Sequence, residues 1–465
     1  MLSISQWDWD WEIEANSTAI ITCDRSNKDF DLCTMNSPTL LDPTSLTLFA
    51  LGPHTRIQHH IHMKIKPFPL KNDTNAMSPI SELTLTSAPL KSSQCGVTHH
   101  SPALVFSVGG YTGNFYHDMN EIFIPLFITI NYSLSHDQDV ILVIIDVKPW
   151  WFEKYVDLLS AFSPNHKIIN TNNLTTTHCF PSAIVGLIKH GQMIIDPKLL
   201  PNPKTLLDFH SFLKRAYVKE DIPFVYLNSK GKPILTLVSR KGSSSRDILN
   251  EEEVIKLAED VGFNVRVLKP SRDFSVADAF KLIHSSHVLL GVHGAGLTNL
   301  LFLRQGSVSV QVVPIGLEWA SETYYNKPTK ILGLEYVEYK VEANESSLSW
   351  EYGADSLVIK DPKAYTEGKW DKQLVYLKKQ NVFSTKIKFA SDGFVKVRIP
   401  ALVHKRSELR FHQPRVLETE LLAISWIFTL PFGNLGVSVL DFLKFLVVEI
   451  ATTLKTGEGG GLFII

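Results

Sequence analysis

The chain carries no excess of charge of either sign: 46 Lys and Arg against 47 Asp and Glu leave a net charge of −1 over 465 residues. That balance gives no support for a nucleic-acid or other polyanion surface, so any anionic ligand must be held by a local site. Several familiar motifs are also missing. No Gly-x-Gly-x-x-Gly follows the first buried strand pattern, no Gly-x-x-x-x-Gly-Lys-Ser/Thr occurs, and there is no Gly-x-Ser-x-Gly elbow. Dehydrogenases, P-loop ATPases and α/β hydrolases lose ground accordingly. Cysteine is scarce, with 4 in all, and none of the paired short spacings of a zinc site is present. Cys23 and Cys33 lie in one polar, turn-rich stretch that suits a local disulfide loop, although reduced residues fit the same count. The N-terminus MLSISQWDWDWEIE has acid and tryptophan where a signal peptide needs a basic and then an apolar region. The expectation is a chain that enters no secretory route or has a truncated start. The sequons at Asn16, Asn72, Asn131, Asn173 and Asn344 pull the other way, toward a lumenal protein.

What is present divides the chain. An apolar content of 44% and a charged content of 20% describe a globular protein whose length predicts two domains. Residues 1–96 read as irregular with short strand-like runs such as Ser81–Ser87, and with a histidine pair at His59 and His60 and another just beyond at His99 and His100. These pairs read as metal ligands or, better, as solvated surface. Residues 97–220 alternate strand and helix patterns: strands over Ala103–Val108 and Val140–Ile145, helices over Phe115–Ile130, Trp150–Phe162 and Pro203–Tyr217. A linker over 220–232 leads to a second series over 233–403. Its strands are Ile234–Val238, Phe263–Leu268, Val288–Val292, Val308–Val313 and Leu334–Tyr339, where the series is expected to end. Two parallel-sheet α/β domains facing a central crevice are the economical architecture, with ligands at the carboxyl ends of strands. Beyond residue 403 the tail reads differently. Leu421–Leu440 carries no charge and approaches the length of a membrane span, but Pro431, Gly433 and Gly436 suit a pair of packed helices or an atypical tail equally.

Three stretches carry possible chemistry. In SHVLLGVHGAGLTNLLFLR a buried strand runs into Gly291, Gly294 and Gly296 and then a helical leucine spacing. A strand, a glycine turn and a helix N-terminus suit a phosphate; the same glycines also suit tight packing of a helix on its strand. Arg240 and Arg246 follow the first strand of the second series, where they read either as bidentate oxygen ligands or as a solvated basic loop. His117 and Glu121 share a helix face beside Gly113, which suits either a general base with its carboxylate or a capped helix. His293 reads as a sugar or phosphate contact or as a turn support.

GNFYHDMNE, SRKGSSSRDILNEEEV and GVHGAGLTNLLFL together resemble the plant members of glycosyltransferase family 61, and CDRSNKDFDLC resembles the family's cysteine-flanked segment. The likeness extends from about Thr22 to Val382 and is strongest to the xylan-decorating α-1,3-arabinosyltransferase and β-1,2-xylosyltransferase-like group. It implies a GT-B fold, inverting transfer of a pentose from a UDP-sugar to xylan or another glycan such as an N-glycan, and a Golgi lumenal address. It implies no essential divalent metal. Arg240 and Arg246 would hold the diphosphate, while His293, Gly294, Ala295, Gly296 and Asn299 would line its other side. His117 or Asp118 would face the acceptor hydroxyl; Glu121 as base is an addition from helix geometry. Membrane association comes from the resemblance alone, since no N-terminal anchor stands in this sequence. A non-catalytic glycan-binding protein of the same fold is the rival reading.

Overall fold

A computed structural model describes residues 20–52, 62–89, 95–134, 138–218, 232–243, 245–260, 262–272 and 274–383. Asn16, the pair His59 and His60, nearly all of the expected linker, and everything after residue 383, including 404–465, lie outside the described residues. Among the described residues no helix is long and apolar enough to cross a membrane. The chain divides into two compact units, Met1–Tyr217 and Val218–Ile465.

The first unit holds strand where irregular chain is expected. β1 (Ile21–Asp24), β2 (Leu32–Met35), β3 (Thr39–Asp42), β4 (Thr47–Gly52), β5 (His62–Ile65) and β6 (Leu83–Pro89) all fall before residue 97. They are followed by β7 (Val97–Thr98), β8 (Ala103–Ser107), β9 (Ile141–Ile145), β10 (Ile169–Asn170), β11 (His178–Phe180) and β12 (Ala183–Val185). Two six-stranded sheets result, ordered β1-β2-β12-β8-β9-β10 and β5-β6-β4-β3-β11-β7. Both mix parallel with antiparallel pairs, so only β12-β8-β9-β10 keeps the expected parallel run. The run Ser81–Ser87 marks β6, but the other early strands were illegible because each is short and several draw partners from distant residues, as β2 does from β12. Disulfides join Cys23 to Cys33 and Cys95 to Cys179. His99 is not solvated surface: its Nε2 lies 2.8 Å from His178 Nδ1, and its ring stacks on Phe180.

The second unit follows the pattern more closely. β13 (Ile234–Val238), β14 (Asn264–Leu268), β15 (Val288–Val292), β16 (Val308–Val313) and β17 (Glu335–Lys340) form one sheet ordered β14-β13-β15-β16-β17. Every pair in it is parallel. The central β13, β15 and β16 are wholly buried, which explains their largely apolar sequences, interrupted only by Thr236 in β13 and by Ser309 and Gln311 in β16. The edge strands carry exposed charge, including Glu335 and Lys340, which guards an open edge. The series does not stop at β17: helices Ser347–Tyr352, Leu357–Lys360, Pro362–Thr366 and Trp370–Lys378 follow. In a sheet wound this way, order reverses between β13 and β15, and ligands bind at such a switch point.

Candidate active site

After β8 the chain turns through Gly113, and Asn114 caps a helical turn over Phe115–His117 by accepting from the Tyr116 amide. The next residues, Asp118–Phe123, form a π-helical turn, a rare widening that occurs often at functional sites. His117 Nδ1 lies 2.8 Å from Glu121 Oε2, the i,i+4 meeting expected from the sequence. The other Glu121 oxygen takes Asn120 Nδ2 at 2.6 Å and Lys189 Nζ at 3.2 Å. Glu121 is 2% exposed and Lys189 5%, so their ion pair is closed to solvent. With its oxygens taken by His117, Asn120 and Lys189 and its side chain buried, Glu121 is placed to orient His117 more than to meet an acceptor itself. Paired with Lys189 it is an acceptor only, so it fixes the proton of a neutral His117 on Nδ1 and frees Nε2. His117 itself keeps part of its side chain in solvent, between the rings of Tyr111 and Tyr116 at 4.6 and 5.5 Å.

Asp118 is also buried. It is 1% exposed and accepts from Trp151 Nε1 at 3.0 Å, Tyr155 Oη at 2.9 Å and the Gly113 amide at 3.3 Å. It anchors the glycine turn to the helix Pro149–Phe162. Burial pushes its carboxyl up to about 6.

In the second unit, the loop after β13 sends Arg240 and Arg246 toward the turn after β15. Arg246 Nη1 donates to the His293 carbonyl at 3.2 Å, and Arg240 Nε donates to the Ser245 carbonyl at 3.1 Å. The loop is clamped from the far end of the chain: the Arg246 amide donates to the Gln380 carbonyl, the Asp247 amide to Asn381 Oδ1, and Ser245 Oγ to the Leu377 carbonyl. Arg246 is thereby held at φ 59°, a conformation costly for a side chain of its size. Among the described residues no carboxylate forms an ion pair with either arginine, and Arg246 Nε is buried without a partner. Burial, with Arg240 beside it, brings Arg246 down to about 10, and burial lowers Arg240 as well. Asp247 acts on Arg240 from a distance without an ion pair, and two adjacent guanidiniums in that state favour an oxyanion.

The glycines split between the two readings. A Cβ on Gly296 would lie 2.6 Å from Val238 Cγ1, and one on Gly291 would lie 3.1 Å from both Val238 and Leu297. Those two serve close packing. At Gly294 φ is 155° and a Cβ would lie 2.7 Å from Arg240 Nη1, so this glycine alone leaves room for the cation. The expected helix is a 3-10 helix over Ala295–Phe302, and Asn299 folds back onto the Gly296 carbonyl at 2.8 Å. Ala295 and Gly296 remain partly exposed. His293 is 4% exposed and its Nδ1 meets Gln311 Nε2 at 2.8 Å, so it supports the turn. Tyr325 Oη ties the same turn by donating to the Gly294 carbonyl at 2.7 Å.

A family model described as Glycosyltransferase 61 matches residues 115–310, from the His117 turn into β16. A xylan glycosyltransferase of Arabidopsis thaliana is 38% identical over 381 residues, spanning 78% of this chain and 76% of that protein. The chain belongs to glycosyltransferase family 61. Within family 61, a beta-1,2-xylosyltransferase of Oryza sativa subsp. japonica is 35% identical, over 82% of this chain and 68% of the relative. An alpha-1,3-arabinosyltransferase of the same source is 33% identical, over 77% of this chain and 62% of the relative.

For this family 61 glycosyltransferase, the sequence pointed to His117, Glu121, Arg240 and Arg246 but missed Lys189, Gln311 and Gln380. Lys189 lies on an irregular stretch after β12 and carries no spacing signal; only its burial marks it. Of the sequons, Asn72, Asn173 and Asn344 are exposed, while the Asn131 amide donates to the Phe127 carbonyl of its own helix at 2.7 Å.

Proposed function

We propose that the chain moves a pentose, arabinofuranose or xylose, from a UDP-sugar to a xylan acceptor with inversion at the anomeric carbon. The observation that carries this reading is the adjacent pair Arg240 and Arg246, neither in an ion pair with a carboxylate among the described residues, at the β13–β15 switch point of a family 61 chain. In this reading the second unit holds the diphosphate of the donor, with both guanidiniums and the Ala295–Gly296 amides available to it. His117 Nε2 takes the proton of the acceptor hydroxyl as its oxygen bonds to the anomeric carbon. The bond from that carbon to the diphosphate oxygen breaks, and UDP leaves with its charge met by fixed cations. Such a site assigns no essential role to a divalent metal. A GT-B arrangement and a Golgi lumenal address belong to the same proposal; two disulfides support an oxidising compartment. The xylan acceptor is supported by the names of the relatives.

The test is transfer from a panel of radiolabelled UDP-sugars to xylan oligosaccharides and to N-glycans, with and without chelator. Labelled pentose on xylan, undiminished by chelator, is expected. No transfer from any UDP-pentose to xylan would overturn the reading, and transfer to N-glycans alone would replace its acceptor.

A further inference from the structure

The second unit carries an aromatic surface that the diphosphate site does not use. Trp319 follows β16 and is 45% exposed, although its neighbours Leu317, Ala320 and Ser321 are wholly buried. Its ring meets Tyr324 at 5.8 Å in an edge contact with an interplanar angle of 72°. Tyr324 in turn faces the His293 ring at 6.5 Å with an interplanar angle of 27°. A π-helical turn over Glu322–Asn326 presents both tyrosines to His293: Tyr325 turns inward onto the Gly294 carbonyl, and Tyr324 meets Trp319. A wide, partly exposed indole therefore lies two ring contacts from the turn that Arg246 binds.

Charge divides the labour. Arg240 and Arg246 gather the positive potential at the turn, while Glu318 and Glu322, both exposed, flank the aromatics with negative potential. A phosphate is disfavoured beside those carboxylates, whereas a flat uncharged ring is not. We propose that Trp319, buttressed by Tyr324, is the stacking platform for the nucleobase of the donor. This rests on the reading that Arg240 and Arg246 hold the donor's diphosphate. A base joined through its ribose to that diphosphate must lie beside the turn, and Trp319 and Tyr324 are the aromatics placed there. A sugar ring of the acceptor would also stack on an indole, so the experiment separates the two.

Calorimetric titrations of the whole protein and of Trp319→Ala with UDP, uridine, inorganic pyrophosphate and xylo-oligosaccharide make that separation. Trp319 is half exposed, so the variant is expected to fold, and Trp319→Phe provides a second check. Trp319→Ala should weaken UDP by about tenfold or more and leave pyrophosphate unchanged, because stacking acts on the base alone. Trp319→Phe should recover most of the UDP affinity. UDP should also quench tryptophan fluorescence in the native protein but less in Trp319→Ala. Unchanged UDP affinity in Trp319→Ala would overturn the platform and leave the diphosphate reading standing. Loss of xylo-oligosaccharide binding with UDP intact would overturn it in favour of the acceptor. Failure of the native protein to bind either UDP or pyrophosphate would instead overturn the donor reading beneath it.

Discussion

Lys189 Nζ lies 3.2 Å from Glu121 Oε1, with both side chains almost wholly withdrawn from solvent. The pair joins a stretch after β12 to the π-helical turn that carries Glu121 and follows His117. Breaking it from one side leaves a buried charge alone. Lys189→Met should therefore lower stability by about 3–5 kcal/mol, and adding Glu121→Gln to it should return a large part of the loss. Urea unfolding of the two single variants and the double variant forms the cycle. A double variant as unstable as the sum of its singles would show that the pair is not coupled.

His117 should behave as a group that acts in transfer and not in donor binding. His117→Ala is expected to abolish sugar transfer while UDP affinity by calorimetry changes little, since its partners all lie in the first unit. Equal loss of both would remove its assignment as base.

Two adjacent guanidiniums, each bonded to a carbonyl and neither ion-paired to a carboxylate among the described residues, make the empty site costly and an occupied one stabilising. At a hundredfold excess over its Kd, UDP or pyrophosphate should add about 2.7 kcal/mol to unfolding. The gain should disappear in Arg240→Ala and in Arg246→Ala. A melting temperature in those variants that still rises with pyrophosphate would place the anion elsewhere.

The glycines predict opposite phenotypes. Gly296→Ala forces a methyl against Val238 and should cost about 1–3 kcal/mol of stability, with UDP affinity retained by the folded protein. Gly294→Ala displaces Arg240 and should lower UDP affinity. Denaturation and calorimetry on the same samples distinguish them, and matching profiles would show that both glycines serve packing alone.

Burial, with Arg246 and Arg240 nearby, pushes His293 down to about 3 from its ordinary 6.5. The unfolded chain takes up a proton on this residue between those values that the folded chain refuses. The resulting stability is fully present above pH 6.5 and is lost as pH falls toward 3. His293→Gln should therefore show a shallower loss of stability on acidification from about pH 7 to pH 5 than the native protein. Parallel curves would contradict the burial argument. His99 and His287, each held down to about 4 chiefly by burial, account for slope that remains.

The second unit was legible because its central strands are buried on both faces and so read as largely apolar runs; β13, β15 and β16 match their expected bounds. The first unit was less so. Apart from β6, whose run Ser81–Ser87 stands out, its early strands are short and mix parallel with antiparallel partners, leaving too little periodicity to see. At the site the local relationship was visible, since His117 and Glu121 are one helical turn apart. The burial of Asp118 was not visible, because its partners Trp151 and Tyr155 lie on another helix.

The glycine turn after β15 separates the two sources of information most clearly. Sequence by itself determined that a strand must end in a tight turn there, because spacing, apolar runs and glycine freedom act between near neighbours. It could not apportion the glycines. Only the tertiary structure decided that Gly291 and Gly296 accommodate Val238 while Gly294 makes room for Arg240. Likewise only folding brought Lys189 to Glu121 and Gln380 to Arg246. Those contacts depend on burial and on which distant segments share a core, and neither is written in any local pattern of residues.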